Sequence, residues 1–270
     1  MEIFLGVSLF FLGAALGSFI NMLVWRLHAG ESILGRSYCD HTKKRLKAID
    51  LIPIFSFFIF KGRCRECQQK LSPIYPFIEI LSGLLTVAAF MLSWNIYATA
   101  NNFNLMFVFL GTAIMASFLL IELFFGYFDY LYWEVEANSI YISLIFVAFL
   151  VIINFFTPLP FLGNSWDHIQ GGIVLASIIA LVYILSNKGG MGEGDIFLFG
   201  LTGLMLGLTG GVIAFMITVF SGSFIGILKA LRVKKLNKVK IQLAPFIAFG
   251  TIITLLFQDQ IIFIYLNMIY

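Results

Sequence analysis

The stretch Gly192-Glu193-Gly194-Asp195 opens an apolar run that extends from Ile196 to Ala230. A helix needs roughly 20 apolar residues to cross a bilayer, so this run is too long for one span. The triplet Thr209-Gly210-Gly211 is the natural turn inside it. The run therefore predicts two membrane spans, 195–208 and 210–231, of which the first is short.

The whole chain has the composition of a membrane protein. Its 270 residues are 60% hydrophobic and 11% charged, with a mean hydropathy of +0.98. A soluble domain carries about 25% charged residues, so the soluble classes are excluded. We predict an all-α, polytopic membrane protein with about eight transmembrane helices, the other six spans being 3–25, 74–95, 103–125, 139–157, 169–186 and 243–257. Its parts are a first transmembrane helix (1–27), a polar loop domain (28–72) and a seven-helix membrane core (73–270).

The basic residues predict how the chain is oriented. Ten of the seventeen Lys and Arg lie between Arg26 and Lys70, one is Lys188, and six lie between Lys229 and Lys240. With eight spans these groups share one side, which the positive-inside rule assigns to the cytoplasm. The N-terminus is then outside, and the first span is not a signal peptide because no basic segment precedes it. His28 and His168 are expected at the interfaces.

Two aspartates, Asp129 and Asp195, end up at the cytoplasmic ends of spans. Ionisable side chains at membrane depth are functional candidates by default. Two adjacent carboxylates can share one proton and act as acid and base together, as in an aspartyl protease. Gly192 and Gly194 would let an extended peptide backbone approach Asp195. The alternatives are that Asp195 only caps a helix and that another acid fills the role of Asp129, namely Glu122, Glu134 or Glu136.

Two pairs of glycines have the spacing that lets helix backbones approach closely in lipid. They are Gly203 with Gly207 and Gly222 with Gly226. Close helix packing is the function that we expect of them.

Three cysteines, Cys39, Cys64 and Cys67, all lie in the polar loop. An odd number clustered in this way fits metal binding better than a disulfide framework. The alternatives are reduced thiols and a metal-free loop held by the packing of Leu51, Ile52 and Phe55.

Several motifs, in order and spacing, make the chain resemble the type IV prepilin peptidases over residues 17–250. The motifs are Gly17-Ser18-Phe19-Ile20-Asn21, Trp25-Arg26-Leu27, Gly30-Glu31-Ser32, Arg36-Ser37-Tyr38-Cys39, Leu51-Ile52-Pro53-Ile54-Phe55-Ser56, Lys61-Gly62-Arg63-Cys64-Arg65-Glu66-Cys67, Tyr75-Pro76-Phe77-Ile78-Glu79, Gly190-Met191-Gly192-Glu193-Gly194-Asp195 and Ala244-Pro245-Phe246-Ile247-Ala248-Phe249-Gly250.

The resemblance implies an eight-span GxGD aspartyl protease of the bacterial inner membrane. Such enzymes cut the basic leader from prepilins or pseudopilins on the cytoplasmic side, and many then methylate the new N-terminus with S-adenosylmethionine. Asp129 and Asp195 would be the catalytic pair. The chain departs from the family pattern at Val135-Glu136-Ala137, where a Pro and then an acid or amide are usual, and at Phe197, often Lys.

The family often carries two CxxC pairs in the first loop, which suit a structural zinc ion. Here Cys39, Cys64 and Cys67 are present, but Thr42 stands where the fourth cysteine would be. His41 or Asp40 is expected to complete the site, with His41 as the first choice.

The expected partners are a prepilin or pseudopilin and the lipid bilayer, and we expect no nucleic acid. The many basic residues of the first loop disfavour a basic leader there. Three acids close to Asp129 and Asp195 in the sequence would attract the leader instead: Glu134, Glu136 and Glu193.

Other functions remain open from the sequence. Phe128-Asp129 and Leu243-Ala244-Pro245 faintly resemble a presenilin-type protease. Glu122, Asp129 and Asp195 could form the ion path of a transporter or of a zinc-sensing membrane protein. The Val135-Glu136-Ala137 departure would also fit a catalytically altered family member.

Overall fold

The computed structural model describes residues 2–39, 41–98, 104–159, 162–186, 191–233 and 240–269. Across them the secondary structure is helical, with two isolated β-bridges and no strand. The α-helices are α1 (Glu2–His28), α2 (Phe55–Ile59), α3 (Ile74–Ala98), α4 (Leu105–Tyr132), α5 (Ala137–Phe156), α6 (Ser165–Leu185), α7 (Glu193–Val233) and α8 (Ala244–Ile269).

Seven of the described helices are long and apolar enough to cross a membrane, and only the short α2 is not. The predictions of an all-α fold and of a polytopic membrane protein are thus confirmed. The polar loop after α1 also contains a 3₁₀ turn, Ala48–Leu51.

The difference between seven helices and eight predicted spans lies in α7. Its 41 residues would extend about 60 Å if straight, twice the thickness of a hydrocarbon core. The rings of Phe199 and Phe215 nevertheless have centroids 5.5 Å apart, although sixteen residues of straight helix cover about 24 Å. The chain therefore reverses within α7, and its halves, α7a (193–206) and α7b (208–233), account for two of the predicted spans.

The reversal takes place at Gly207, not at the predicted Thr209-Gly210-Gly211 turn. Gly207 has φ 72° and ψ −176°, a backbone conformation essentially restricted to glycine. The carboxylate of Asp167 accepts the backbone N–H of Leu208 at 3.2 Å and so caps the start of α7b. Because Asp167 supplies this cap, the break comes before Gly210 and Gly211, which lie inside the helix.

The contact between α6 and α7 relies on small residues. A Cβ on Gly203 would come within 2.8 Å of the backbone nitrogen of Gly172, so the close packing predicted for this glycine is confirmed. Gly222 and Gly226 instead face side chains, those of Phe246 and Ile241, so the prediction of close backbone packing is wrong for that pair.

His168 was predicted to lie at a membrane interface. The structure shows that its side chain is buried among protein groups. Its Nδ1 lies 3.0 Å from the carbonyl oxygen of Leu204, and its Nε2 contacts that of Leu162. The ring thus joins the start of α6 to the last turn of α7a, beside the reversal.

The chain divides into two compact units, Met1–Leu120 and Ile121–Tyr270. In the first, α1 and α3 pack closely: a Cβ on Gly17 would lie 2.8 Å from the Cα of Glu79. The second contains the end of α4 and all of α5 to α8. There α4 continues past the predicted end at residue 125, so Asp129 lies in its last turn. Helix α8 bends at Phe257.

We predict that Gly207→Ala destabilises the protein by about 1–3 kcal/mol, because alanine must adopt a strained backbone conformation. The measurement is the thermal unfolding midpoint in detergent. Gly222→Ala is the matched control, since its new Cβ would meet Phe246 at an ordinary 3.7 Å. Equal midpoints for the two variants would show that Gly207 is not a strained turn.

Candidate active site

Asp129 is held by the start of α8. Its Oδ2 accepts the backbone N–H of Ala244, the first residue of that helix, at 3.1 Å. The first N–H groups of a helix have no partner within the helix and carry partial positive charge, so they suit a carboxylate. Only 7% of Asp129 is exposed. The Leu243-Ala244-Pro245 segment therefore fixes this side chain.

The end of α4 is held by Gln242, the residue just before that segment. The side-chain amide of Gln242 donates to the carbonyl oxygens of Asp129 and Tyr130, the latter at 3.0 Å. These carbonyls belong to the last turn of the helix, which leaves such groups without helical partners. Asp129 is thus fixed through both its side chain and its backbone.

Asp195 lies in the first turn of α7 and is 9% exposed. Its Oδ2 accepts the backbone N–H of Gly192 at 3.0 Å, while its own N–H donates to the Gly192 carbonyl at 3.2 Å. This reciprocal arrangement resembles a capping box with Gly192 at the N-cap. Asp195 is therefore the third residue of its helix and not the N-cap itself, although its side chain takes part in the cap.

The two aspartates lie within electrostatic range of each other, since the charge of Asp129 acts repulsively on the carboxyl group of Asp195. A second contact supports the pairing, because Thr202 donates to Glu122 at 3.4 Å. Glu122 precedes Asp129 by seven residues and Thr202 follows Asp195 by seven, so each helix presents both residues on one face. Capping alone does not explain a second carboxylate beside Asp195, since like charges disfavour each other.

The other candidate acids have different surroundings. Glu122 is fully buried, two turns from Asp129, and Thr202 also contacts Thr251 at 3.2 Å. Glu136 is the N-cap of α5, where it accepts the backbone N–H of Ser139 at 2.5 Å. Burial raises the pKa of Glu136, but hydrogen bonds from Ser139 and Asn138 outweigh this effect and hold it below its usual range.

Glu193 and Glu134 are exposed. The hydroxyl of Tyr183 donates to Glu193 at 2.5 Å and orients its carboxylate. Both acids could therefore meet a cationic ligand at the surface.

The two glycines of the GxGD sequence differ. Gly192 is exposed, and a Cβ there would have only ordinary contacts, 3.5 Å from Asp195. A Cβ on Gly194 would lie 3.2 Å from the side chain of Val135, tighter than most real contacts. Gly194 thus has a packing function, which lets α7 approach the α4–α5 connection. Binding of a substrate backbone by either glycine stays a prediction.

The three cysteines of the first unit form a cluster. Their sulfurs all lie within 4.8 Å of one another, with Cys39 at 3.5 Å from Cys67 and 3.7 Å from Cys64. Zinc bonded to thiolates at about 2.3 Å in a tetrahedron requires sulfurs about 3.8 Å apart. The three side chains therefore fit a zinc ion.

The cysteines are placed by two similar turns. Cys39 N–H donates to Lys44 and Cys64 N–H to Gln69, at 2.9 and 2.8 Å. The fifth residue of each turn has positive φ, 54° at Lys43 and 58° at Gln68. Matching the turns aligns Thr42 with Cys67, and His41 with Glu66.

Thr42 therefore occupies the place of a fourth cysteine. Its hydroxyl, with the backbone N–H groups of Thr42 and His41, lowers the pKa of the Cys39 thiol to about 6 against the effect of burial. His41 is exposed and is not part of the cluster, so its function as fourth ligand stays a prediction. Asp40 lies outside the described residues.

Comparisons with known proteins identify the family of the chain. A family model described as the bacterial peptidase A24 N-terminal domain matches residues 11–93. The prepilin leader peptidase/N-methyltransferase of Bacillus subtilis (strain 168) is 30% identical over 264 residues, 96% of this chain and 97% of its own length. The chain belongs to the prepilin leader peptidase family.

Two more distant members have the same name. Those of Legionella pneumophila and Stutzerimonas stutzeri are 28% and 25% identical, and the matches cover 96% and 95% of this chain and 93% and 92% of their own lengths. No solved structure matches the chain.

This chain departs from the family pattern at a few positions, and local contacts explain these departures. Val135 fills the space left by Gly194, and Glu136 caps α5. Phe197 stacks edge-to-face on Tyr141 of α5, with ring centroids 6.0 Å apart. These side chains join the start of α7 to the start of α5.

The structure also explains two motif residues for which no function could be predicted. Arg26 is buried and donates to the carbonyl oxygens of Ser32, Ile33 and Arg36, which orders the start of the loop. Glu79 accepts the backbone N–H of Ile54 at 2.6 Å. Both are charged residues within apolar spans, a signal that could have identified them.

We predict that Cys64→Ser lowers the zinc content of the purified protein and that Thr42→Cys slows the loss of zinc to a chelator. Cys64→Ser removes one of three thiolates, whereas Thr42→Cys supplies a fourth in the matching turn. Zinc per chain, measured by mass spectrometry, tests both.

His41→Ala completes this series. An unchanged zinc content in this variant would exclude His41 as a ligand. An unchanged zinc content in Cys64→Ser would refute the metal site altogether.

Proposed function

We propose that this protein is a membrane aspartyl endopeptidase that removes the basic leader from type IV prepilins or pseudopilins. Membership of the family and the matching names of full-length relatives support the substrate class. The observation that carries the mechanism is the buried pair Asp129 and Asp195, each fixed by a backbone N–H group.

The pair supplies the acid and the base of a hydrolysis without a covalent intermediate. One carboxylate takes a proton from a water molecule, whose oxygen attacks the scissile carbonyl carbon. The other, protonated, carboxyl group donates to the carbonyl oxygen. When the tetrahedral intermediate collapses, the C–N bond breaks and the leaving amine receives a proton. Two adjacent carboxylates are suited to this work because they share one proton.

We assign the active site to the cytoplasmic face of the bacterial inner membrane. Asp129 ends α4 and Asp195 begins α7, so both lie near span ends. The segments that carry the Lys and Arg lie on that side in an eight-span topology, and the positive-inside rule supports the cytoplasm. The reversal of α7 at Gly207 supports the eight crossings on which this assignment depends.

The structure supports the two cofactors that the family implies to different degrees. Cys39, Cys64 and Cys67 would hold a structural zinc ion, which would tie the two turns of the loop together. For S-adenosylmethionine, no group of side chains among the described residues defines a site. Methylation of the new N-terminus is therefore proposed from the relatives' names alone, and we derive no step through the cofactor.

We predict that Asp129→Asn and Asp195→Asn each reduce cleavage of a prepilin by about 10²–10⁴-fold or more, because either change removes an acid–base group. Asparagine keeps an oxygen for the N–H of Ala244 or Gly192, so the thermal midpoint should stay close to that of the wild type. Cleavage is followed by the mass of the substrate N-terminus, which also reports methylation.

Asp259→Asn is the matched control for these variants, since Asp259 is an exposed residue of α8. It should cleave normally. Full cleavage by either the Asp129 or the Asp195 variant would refute the catalytic pair.

We further predict that Glu193→Gln with Glu136→Ser raises the KM for a prepilin with a basic leader several-fold. These acids would attract the Lys and Arg of the leader, whereas Ser at position 136 still caps α5. A substrate whose leader basic residues are replaced by Gln is the control. An equal rise in KM for both substrates would mean that the acids act structurally and not by charge.

A further inference from the structure

The segment 48–60 of the polar loop has the composition of a membrane element. Ten of its thirteen residues are hydrophobic, and Asp50 is its one charged residue. Arg65 donates two hydrogen bonds to Asp50, at 2.8 and 3.0 Å, and the Asp50 side chain is only 7% exposed. The charge is therefore paired, and the rest of the segment is apolar.

Large apolar side chains of this segment are uncovered. Phe58 is 65% exposed, Ile59 57% and Phe55 49%. Leu51 and Ile52 are each more than 40% exposed, so they do not form a packed core for the loop. Contiguous apolar patches of this kind mark interaction or membrane sites.

The segment lies alongside the spans of the first unit and not beyond their ends. The ring of Phe55 stacks on that of Phe11, with centroids 5.9 Å apart. Phe11 is half exposed on α1, fourteen residues before Trp25, which is about 21 Å along the helix. Ile54 reaches Glu79, a buried residue one turn inside α3. The exposed aromatic side chains are therefore continuous with the lipid-facing surface of α1.

Several backbone N–H groups in and next to the segment have protein acceptors, as a low-dielectric surrounding requires. Ile54 donates to Glu79, Ser56 to Ile52, and Phe58 to Ile54. Phe60 donates to Ser56, and Gly62 to Phe57. Non-helical backbone at membrane depth is tolerated where protein groups accept its N–H donors in this way.

Basic residues flank the segment on both sides. Lys43, Lys44, Arg45 and Lys47 precede it, and Lys61, Arg63 and Lys70 follow it. An apolar tip between basic flanks is complementary to a bilayer, whose acyl chains lie below anionic head groups.

We propose that segment 48–60 re-enters the leaflet next to the loop and places Phe55, Phe58 and Ile59 among lipid acyl chains. The loop domain is then anchored in the membrane at its tip, while the three-cysteine cluster stays at its polar base. This inference does not depend on the proposed peptidase function.

The test uses the full-length protein in lipid vesicles with one ¹⁹F probe, trifluoromethylphenylalanine, at position 58. A second sample has the probe at Ile59, and the control has it at Gln69, an exposed polar position of the same loop. Line broadening is compared between a nitroxide on the lipid acyl chain and a water-soluble gadolinium chelate. Unchanged thermal midpoints confirm that each labelled protein is folded.

We expect the lipid nitroxide to broaden the signals from positions 58 and 59 and the aqueous chelate to broaden that from position 69. Two outcomes overturn the proposal. Broadening of positions 58 and 59 by the chelate as strong as that of position 69 would place the segment in water. Shielding of both positions from both reagents would mean that protein, a second copy of the chain included, covers this surface.

Discussion

Backbone N–H groups at helix starts hold four buried or half-buried carboxylates of this protein, and the way in which its segments meet depends on that interaction. Ala244, the first residue of α8, donates to Asp129, and Leu208, the first residue of α7b, donates to Asp167. Gly192 and Ile54 donate in the same way to Asp195 and Glu79. Burying a charge without such partners is costly, and a helix start offers donors that lack partners of their own. Each pairing therefore satisfies both groups and fixes where one segment meets another.

The acid pair gains its geometry from these local fixings. Asp129 cannot move far from Ala244 while Gln242 also holds the end of α4. Asp195 is fixed by the turn that begins its own helix. Two carboxylates that repel each other are thus kept adjacent by hydrogen bonds that neither can leave without losing a partner. Such preorganisation is what acid–base chemistry at a peptide bond requires.

Much of this architecture could be predicted from the sequence, because hydropathy determines spans and motif order identifies a family. The clustering of the three cysteines followed from the same signals, whereas the catalytic pairing of Asp129 with Asp195 stays a prediction. The break in α7 was predicted but its position was not, since two consecutive glycines predicted a turn more strongly than Gly207 alone. The deciding group, Asp167, lies 40 residues earlier in the chain, and no local pattern contains it. The burial of His168 could not be predicted for the same reason. Its partner Leu204 lies just before the chain reversal, far from His168 in the sequence, although Leu162 is close.

The loop of the first unit shows how a strained tip and a polar base can depend on each other. Ile54 is a β-branched residue with φ 65°, a conformation that costs on the order of 1–3 kcal/mol. A hydrogen bond contributes about 0.5–1.5 kcal/mol, or about 1.5–3 kcal/mol where one group is charged, so the bond from Ile54 to Glu79 at most offsets this strain, without a large surplus. The tip therefore keeps its conformation only if its two ends are also held. Cys39 precedes the tip, Cys64 and Cys67 follow it, and Arg65 reaches back to Asp50 at its start. A metal ion on the three thiolates would bind the folded loop in preference to the unfolded chain, so it would stabilise the loop whose tip contains the strained contact.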